Sequence, residues 1–250
     1  MNLFIGDVVR DMTQKTGQKC TAIRRVYVPK DKLDAVIEKI RERLADVKVG
    51  DPTSESVTMG PLATKQQLED VRAGVGKLGS CAKIVFGNID AVEPIRGSGS
   101  GATPGAVSGK GFFLSPILLR GDAPNPADAA HTHEVFGPVA TIMPYDGSAA
   151  AVAKLVVGGG GGLVSSIYSD DKSFVKESVM AIAPFHGRVT IGSSKIVGQS
   201  VPPGTVLPQL IHGGPGRAGG GEELGGKRGL AFYMQRVALQ GDRALIESFL

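Results

Sequence analysis

Helical and strand patterns alternate along this 250-residue chain, and the alternation predicts an α/β fold: a mostly parallel open sheet with flanking helices. Two observations strengthen that expectation. A chain of this length can bury about 70% or more of its unfolded surface around one large core. The first strand candidate, Thr21 to Val28, is also rich in β-branched residues and is closed off by Pro29.

The elements follow in order. Phe4, Val8, Val9 and Met12 recur at helical spacing, so Leu3 to Thr16 predicts a helix that Gly17 ends. Thr21 to Val28 alternates as a strand and stops at Pro29. Asp31 to Val47 predicts an amphipathic helix with Leu33, Val36, Ile37, Ile40 and Leu44 on one face, and Val49-Gly50-Asp51-Pro52 is the turn after it. A helix at Lys65 to Leu78 and a strand at Ala82 to Phe86 precede a glycine-rich polar loop from Gly97 to Gly111, expected to be mobile. Strands are expected at Ser115 to Leu119, Ala140 to Tyr145, Leu163 to Tyr168 and Gly187 to Ile191, with helices at Ala149 to Val156 and Lys172 to Ile182. A strand at Gln235 to Ala238 and a short helix from Asp242 close the chain. The whole reads as one domain, residues 1–250, in which the segment from about 234 to 250 contributes to oligomerisation.

Charge and composition exclude several function classes. The net charge of +4 is dispersed, with no block of like charges to track a nucleic-acid backbone. Tryptophan is absent and aromatics make up 5%, which weakens any stacking platform for single strands. No apolar run approaches the roughly 18 residues of a membrane span. Met1 to Gly17 is too charged for a secretory leader, and the two cysteines, Cys20 and Cys81, are far apart, so a reducing cytoplasm is the expected compartment.

Chemistry concentrates at Gly17-Gln18-Lys19-Cys20-Thr21-Ala22. A thiolate is the reactive form of cysteine, and a neighbouring ammonium or a run of backbone N–H groups favours it. Lys19 and the amides after Cys20 offer both, although a cysteine beside threonine and alanine is also a common small core residue. His131-Thr132-His133-Glu134 invites a metal reading, since two imidazoles on an extended segment can face one ion. No third histidine or cysteine lies nearby, and no metal is expected. The five glycines Gly158 to Gly162 lack the Gly-Lys-Ser/Thr of a phosphate loop and read as a flexible helix-to-strand connection. Gly219-Gly220-Gly221 before Glu222 and Glu223 reads either as a simple loop or as the start of a helix whose dipole favours the carboxylates. A thiol hydrolase would pair Cys20 with a histidine, but none of His131, His133, His186 or His212 has a local signature for it.

The segment from Met12 to Ala22 resembles the active-site cysteine segment of the aldehyde dehydrogenase family. His133-Glu134-Val135-Phe136-Gly137-Pro138-Val139 resembles that family's glutamate-aromatic-glycine-proline motif, and it follows the cysteine at about the family's separation. Met59-Gly60-Pro61-Leu62 and Gly111-Phe112-Phe113-Leu114-Ser115-Pro116 resemble smaller landmarks between the two. The run from His212 to Gly226 resembles the phenylacetate-degradation branch, in which a dehydrogenase domain acting on a CoA-linked semialdehyde precedes a hotdog-type hydratase domain.

The resemblance implies a role for each residue. Cys20 is the nucleophile, forming a thiohemiacetal and then a thioester with the aldehyde. Glu134 holds the nicotinamide ribose of NAD or NADP, with Phe136 packed beside it, and Glu134 is not the general base. Gly213, Gly214 and Arg217 border the substrate tunnel, where Arg217 meets an acyl-CoA phosphate. The family's dinucleotide-binding domain, oxyanion-hole asparagine and general-base glutamate precede the nucleophile's helix. The chain is therefore expected to be a catalytic half without its cofactor domain, inactive when isolated and part of a homodimer or higher homo-oligomer. The alternative is a non-catalytic fragment acting only as a folding or assembly unit.

Overall fold

The computed structural model describes residues 1–90, 92, 94–95, 111–207, 210–221, 226–235 and 237–248. Its first helix, α1 (Asn2–Thr13), buries Ile5, Val8 and Met12. It stops short of the predicted Thr16 because Gln14–Gly17 tighten into a 3-10 turn, where Lys15 (φ 54°), Thr16 (φ 56°) and Gly17 (φ 66°) are all left-handed. β1 (Arg25–Pro29) is shorter than the expected strand at Thr21 to Val28, since the Ala22 N–H turns back to the Lys19 carbonyl at 3.1 Å. α2 (Leu33–Ala45) buries the five residues whose spacing predicted its face. α3 (Lys65–Leu78) matches its expected bounds and starts at Thr64, whose hydroxyl accepts from the Gln67 N–H at 3.0 Å.

β2 (Lys83–Phe86), β3 (Ile117–Arg120), a helical turn α4 (Ala129–Thr132) and β4 (Val139–Tyr145) follow. α5 (Ala149–Val157) is capped by Ser148 and α6 (Lys172–Ile182) by Asp171, with β5 (Gly162–Tyr168) between them and β6 (His186–Gly192) after. The chain continues through β7 (His212–Gly214), β8 (Gly219–Gly221), α7 (Lys227–Phe232) and α8 (Arg243–Glu247), the last capped by Asp242 as expected.

The main sheet has the order β1-β4-β3-β2, with β1 and β3 parallel to β4 and β2 antiparallel at one edge. Alternation along its strands fills both faces. Leu118, Ala140 and Ile142 pack with α1 and α2, whereas Ile117, Leu119, Val139 and Met143 pack with α3. β5 and β6 form a separate parallel pair, and β7 and β8 an antiparallel one.

Three expectations need correction or limits. Gln235, Val237 and Ala238 carry no strand. Val237 is 70% exposed, with no strand of this chain alongside to take its hydrogen bonds. Gly219 to Gly221 is neither a loop nor a helix start, because its backbone pairs with His212 to Gly214. The glycine-rich loop from Gly97 to Gly111 lies outside the described residues apart from Gly111. Among the described residues, no helix is long and apolar enough to cross a membrane.

Candidate active site

The left-handed turn at Lys15 to Gly17 aims the chain toward Cys20. It is held from below by Thr16, a buried β-branched residue whose hydroxyl donates to the Gly60 carbonyl at 3.0 Å. Gly60 belongs to the Met59-Gly60-Pro61-Leu62 run, so that stretch supports the turn before Cys20. Gly17 lies against the Gly137–Pro138 backbone so closely that a Cβ would overlap the Gly137 carbonyl, and its positive φ favours glycine as well. The two motifs are thus in direct contact.

Arg24 fastens them together. Its guanidinium donates to the Gly137 carbonyl and the Gly17 carbonyl, each at 2.7 Å, and reaches the Glu134 carboxylate at 3.4 Å. It also stands 5.3 Å from the Phe136 ring centroid, within cation–π range. Burial pushes Arg24 below its ordinary value, and Glu134 opposes that shift. No sequence signal marked Arg24, whose partners lie 7 positions before it and up to 113 after it.

Cys20 is exposed, and its N–H has no acceptor among the described residues. Lys19 does not serve it as the sequence suggested. The ammonium is held by Asp11 at 2.5 Å and by Gln14 at 2.9 Å, so its charge balances a carboxylate that is 1% exposed. Burial raises Asp11 despite that partner. The group beside Cys20 is instead His212, whose Nε2 lies 3.7 Å from Sγ across 192 positions of sequence. Next to it, Arg188 donates to the Ile211 carbonyl at 3.1 Å and leaves a second buried nitrogen without a partner. Burial lowers Arg188, and its attraction to Cys20 offsets part of that shift.

Glycine geometry explains how His212 arrives there. A Cβ on Gly187 would overlap the Gly213 carbonyl, and one on Gly214 would overlap the Gly162 carbonyl, so β7 lies directly on β5 and β6. Gly213 and Gly214 thus pack against the backbone of β6 and β5. Arg217 lines the cleft and also braces the backbone beside it. One of its guanidinium nitrogens donates to the carbonyls of His131 and Gly159, each at 3.3 Å, and its N–H donates to the Gly160 carbonyl at 3.0 Å. The five-glycine run is thereby docked against the turn that carries Arg217.

A cleft of about 820 Å³ has Cys20, Arg24, Glu134 and Phe136 on its wall and then runs on between β1 and β5. The His-x-His pair does not share an ion site. His131 sits on α4 rather than on an extended segment, and its Nδ1 lies 3.1 Å from Arg25 and 3.2 Å from the Tyr27 hydroxyl. Burial and Arg25 hold His131 below its ordinary value, and burial pushes Tyr27 up to about 12. Among the described residues, no group of three potential ligands could hold a metal.

With this geometry in view, comparison with known proteins is decisive, for residues 1–238 match the model of the aldehyde dehydrogenase family. The chain belongs to that family. It is 41% identical over 214 residues to the 3,4-dehydroadipyl-CoA semialdehyde dehydrogenase of Aromatoleum evansii, covering 86% of this chain and 40% of that protein. It is 38% identical over 190 residues to Protein MaoC of Klebsiella aerogenes, covering 75% of this chain and 52% of that one. The fold matches lactaldehyde dehydrogenase from Escherichia coli with a TM-score of 0.74 at 25% identity, over 94% of this chain and 43% of that one. It also matches a betaine aldehyde dehydrogenase from Staphylococcus aureus solved with NAD+, at a TM-score of 0.73 and 21% identity, over 93% and 42%. The chain therefore spans about half or less of the length of these relatives. Within the family frame, Cys20 and the motif from His133 to Val139 occupy one wall of one cleft.

Proposed function

We propose that this chain is the catalytic part of an NAD(P)-dependent aldehyde dehydrogenase that oxidises a CoA-linked semialdehyde to the acid. The observation that carries the reading is the docking of the two motifs: Arg24 ties the turn before Cys20 to the Glu134–Gly137 strip, and both open onto the same cleft. The substrate class follows the relative from Aromatoleum evansii.

The chain's own groups suit the parts assigned to them. The exposed Cys20 sulfur adds to the aldehyde carbon to give a thiohemiacetal, and the Cys20 N–H, without an acceptor among the described residues, is available for the charge that develops on oxygen. A nicotinamide cofactor fits the residues opposite. The Glu134 side chain is 47% exposed with Arg24 its one partner among the described residues, which leaves acceptor capacity for ribose hydroxyls, and the exposed Phe136 ring gives an apolar plane beside it. Bound there, NAD or NADP supplies the hydride acceptor. Gly213 and Gly214 are assigned to the substrate side, and Arg217, on the cleft wall, is the candidate partner for an acyl-CoA phosphate. A reducing cytoplasm keeps Cys20 a free thiol.

The family's asparagine and general-base glutamate have no counterpart among the motifs identified in these residues, and loss of one oxyanion donor alone costs about 10²–10³ in rate. We therefore expect no turnover from the isolated 250 residues. Joining them behind the preceding part of the Aromatoleum evansii relative should restore NAD(P)H formation from a CoA-linked semialdehyde, and Cys20→Ala should abolish it. Activity that survives Cys20→Ala removes the assignment, and NAD(P)H from the isolated chain removes the claim that it is incomplete.

The second reading, a folding or assembly unit, draws on the C-terminal segment. Tyr233 (76% exposed), Val237 (70%) and Leu245 (65%) present apolar surface there. We infer that this segment meets a second copy, so deleting residues 234–250 should lower the mass measured by light scattering. A chimera that assembles but never turns over would favour this reading over the enzyme.

A further inference from the structure

We propose that His212 is the proton acceptor for the Cys20 thiol, a catalytic residue that neither motif signals. The inference rests on the aldehyde-oxidising reading of Cys20 and deepens it. His212 Nε2 is 3.7 Å from Sγ, a hydrogen-bonding separation for the large sulfur atom and one that can tighten when substrate binds. The other ring nitrogen, Nδ1, is buried with no partner among the described residues. Buried polar atoms are normally satisfied, and a ring needed only for packing would be better served by an apolar side chain. The polar contact that this imidazole does make is the one to Cys20. Its position is also fixed, because the glycines at 187 and 214 let β7 rest directly on β5 and β6.

The surrounding charges favour the transfer. Lys19 is committed to Asp11, and Arg24 to Glu134 and two carbonyls. Arg188 remains, held by the Ile211 carbonyl with one buried nitrogen unpartnered, and its positive charge attracts an anion at Sγ. In the step, the S–H bond breaks and an N–H bond forms at Nε2. The sulfur electron pair then makes the C–S bond to the aldehyde carbon, and the carbonyl π pair moves to oxygen. The proton on the imidazolium is passed to solvent or to that oxygen. No oxidant or further reactant enters this step.

Iodoacetamide tests the pairing without cofactor, aldehyde or any residue outside the chain, with Cys81 as an internal reference followed by peptide mass spectrometry. At about pH 7, His212→Ala and His212→Gln should each slow Cys20 alkylation by about tenfold or more while Cys81 is unchanged. Added imidazole should restore the rate in the alanine variant, which a purely structural histidine would not allow. Unchanged Cys20 labelling in both variants overturns the proposal, and so does a fall that imidazole does not repair. Either result leaves the chimera test of aldehyde oxidation standing. A chimera that fails while imidazole rescue succeeds would instead reject the substrate reading and keep the proton acceptor.

Discussion

The four-stranded sheet and the β5–β6 pair are built from the same kinds of element yet differ in how they are filled. Every residue of β3 and β4 except the last of each is buried, and α1, α2 and α3 cover both faces. In β5 only Ile167 is buried, and in β6 only Gly192. The candidate site lies where they meet: Cys20, Arg24 and Glu134 stand on the dense region, and His212 comes from the strand laid on the sparse one. A cysteine rooted in a densely buried core and a histidine carried by a sparsely buried strand pair can be perturbed separately.

The largest difference should appear in core truncation. Ile142→Ala removes a fully buried side chain at the centre of the dense sheet and should cost about 3–5 kcal/mol, whereas Ile167→Ala in β5 should cost about 2 kcal/mol, both read from denaturant melts. Equal losses would erase the contrast.

Gly187→Ala sharpens it. The added methyl would meet the Gly213 carbonyl and push β7 off β6, at a cost of about 1–3 kcal/mol. Cys20 alkylation should fall along with it, while the dense core keeps its packing. Fast labelling of Cys20 in that variant would mean that β7 does not need this seat.

The smallest effect is expected from pH. His131 on α4 and His186 on β6 are both held below the ordinary histidine value of 6.5, first of all by burial. A depressed value means that their contribution to stability is present above pH 6.5 and is lost as pH falls through the folded-state value. Asp11 in the dense region has the opposite sign: burial raises it, so the folded state gains as it takes up a proton. The melting midpoint should therefore fall between about pH 7.5 and 5.5, and His131→Gln with His186→Gln should flatten that fall. A midpoint that stays level in the unmodified chain would show that these rings charge without cost.

The difference between the regions also explains what could be read in advance. In α2 the five apolar residues spaced along the sequence are the five that are buried, because a helix laid on a sheet turns spacing directly into a face. The family was legible for another reason: the runs around Cys20 and Glu134 that resemble it are contiguous, and local turn chemistry such as the left-handed Gly17 is written in adjacent residues. The expected strand at Gln235 to Ala238 failed because strands depend on a neighbouring edge that no local pattern supplies.

The sequence by itself thus determined the class of fold, the order of most of its elements and the family, since each is carried by periodicity or by a contiguous run. Only the tertiary structure decided that Lys19 belongs to Asp11, that Arg24 joins the two motifs, that Arg217 braces the glycine run, and that His212 stands beside Cys20. The last three depend on how the strands stack and on where a missing Cβ permits close approach, and contacts across 86 to 192 positions leave no trace in local spacing; Lys19 and Asp11 are 8 positions apart, but only the turn between them decides that they meet.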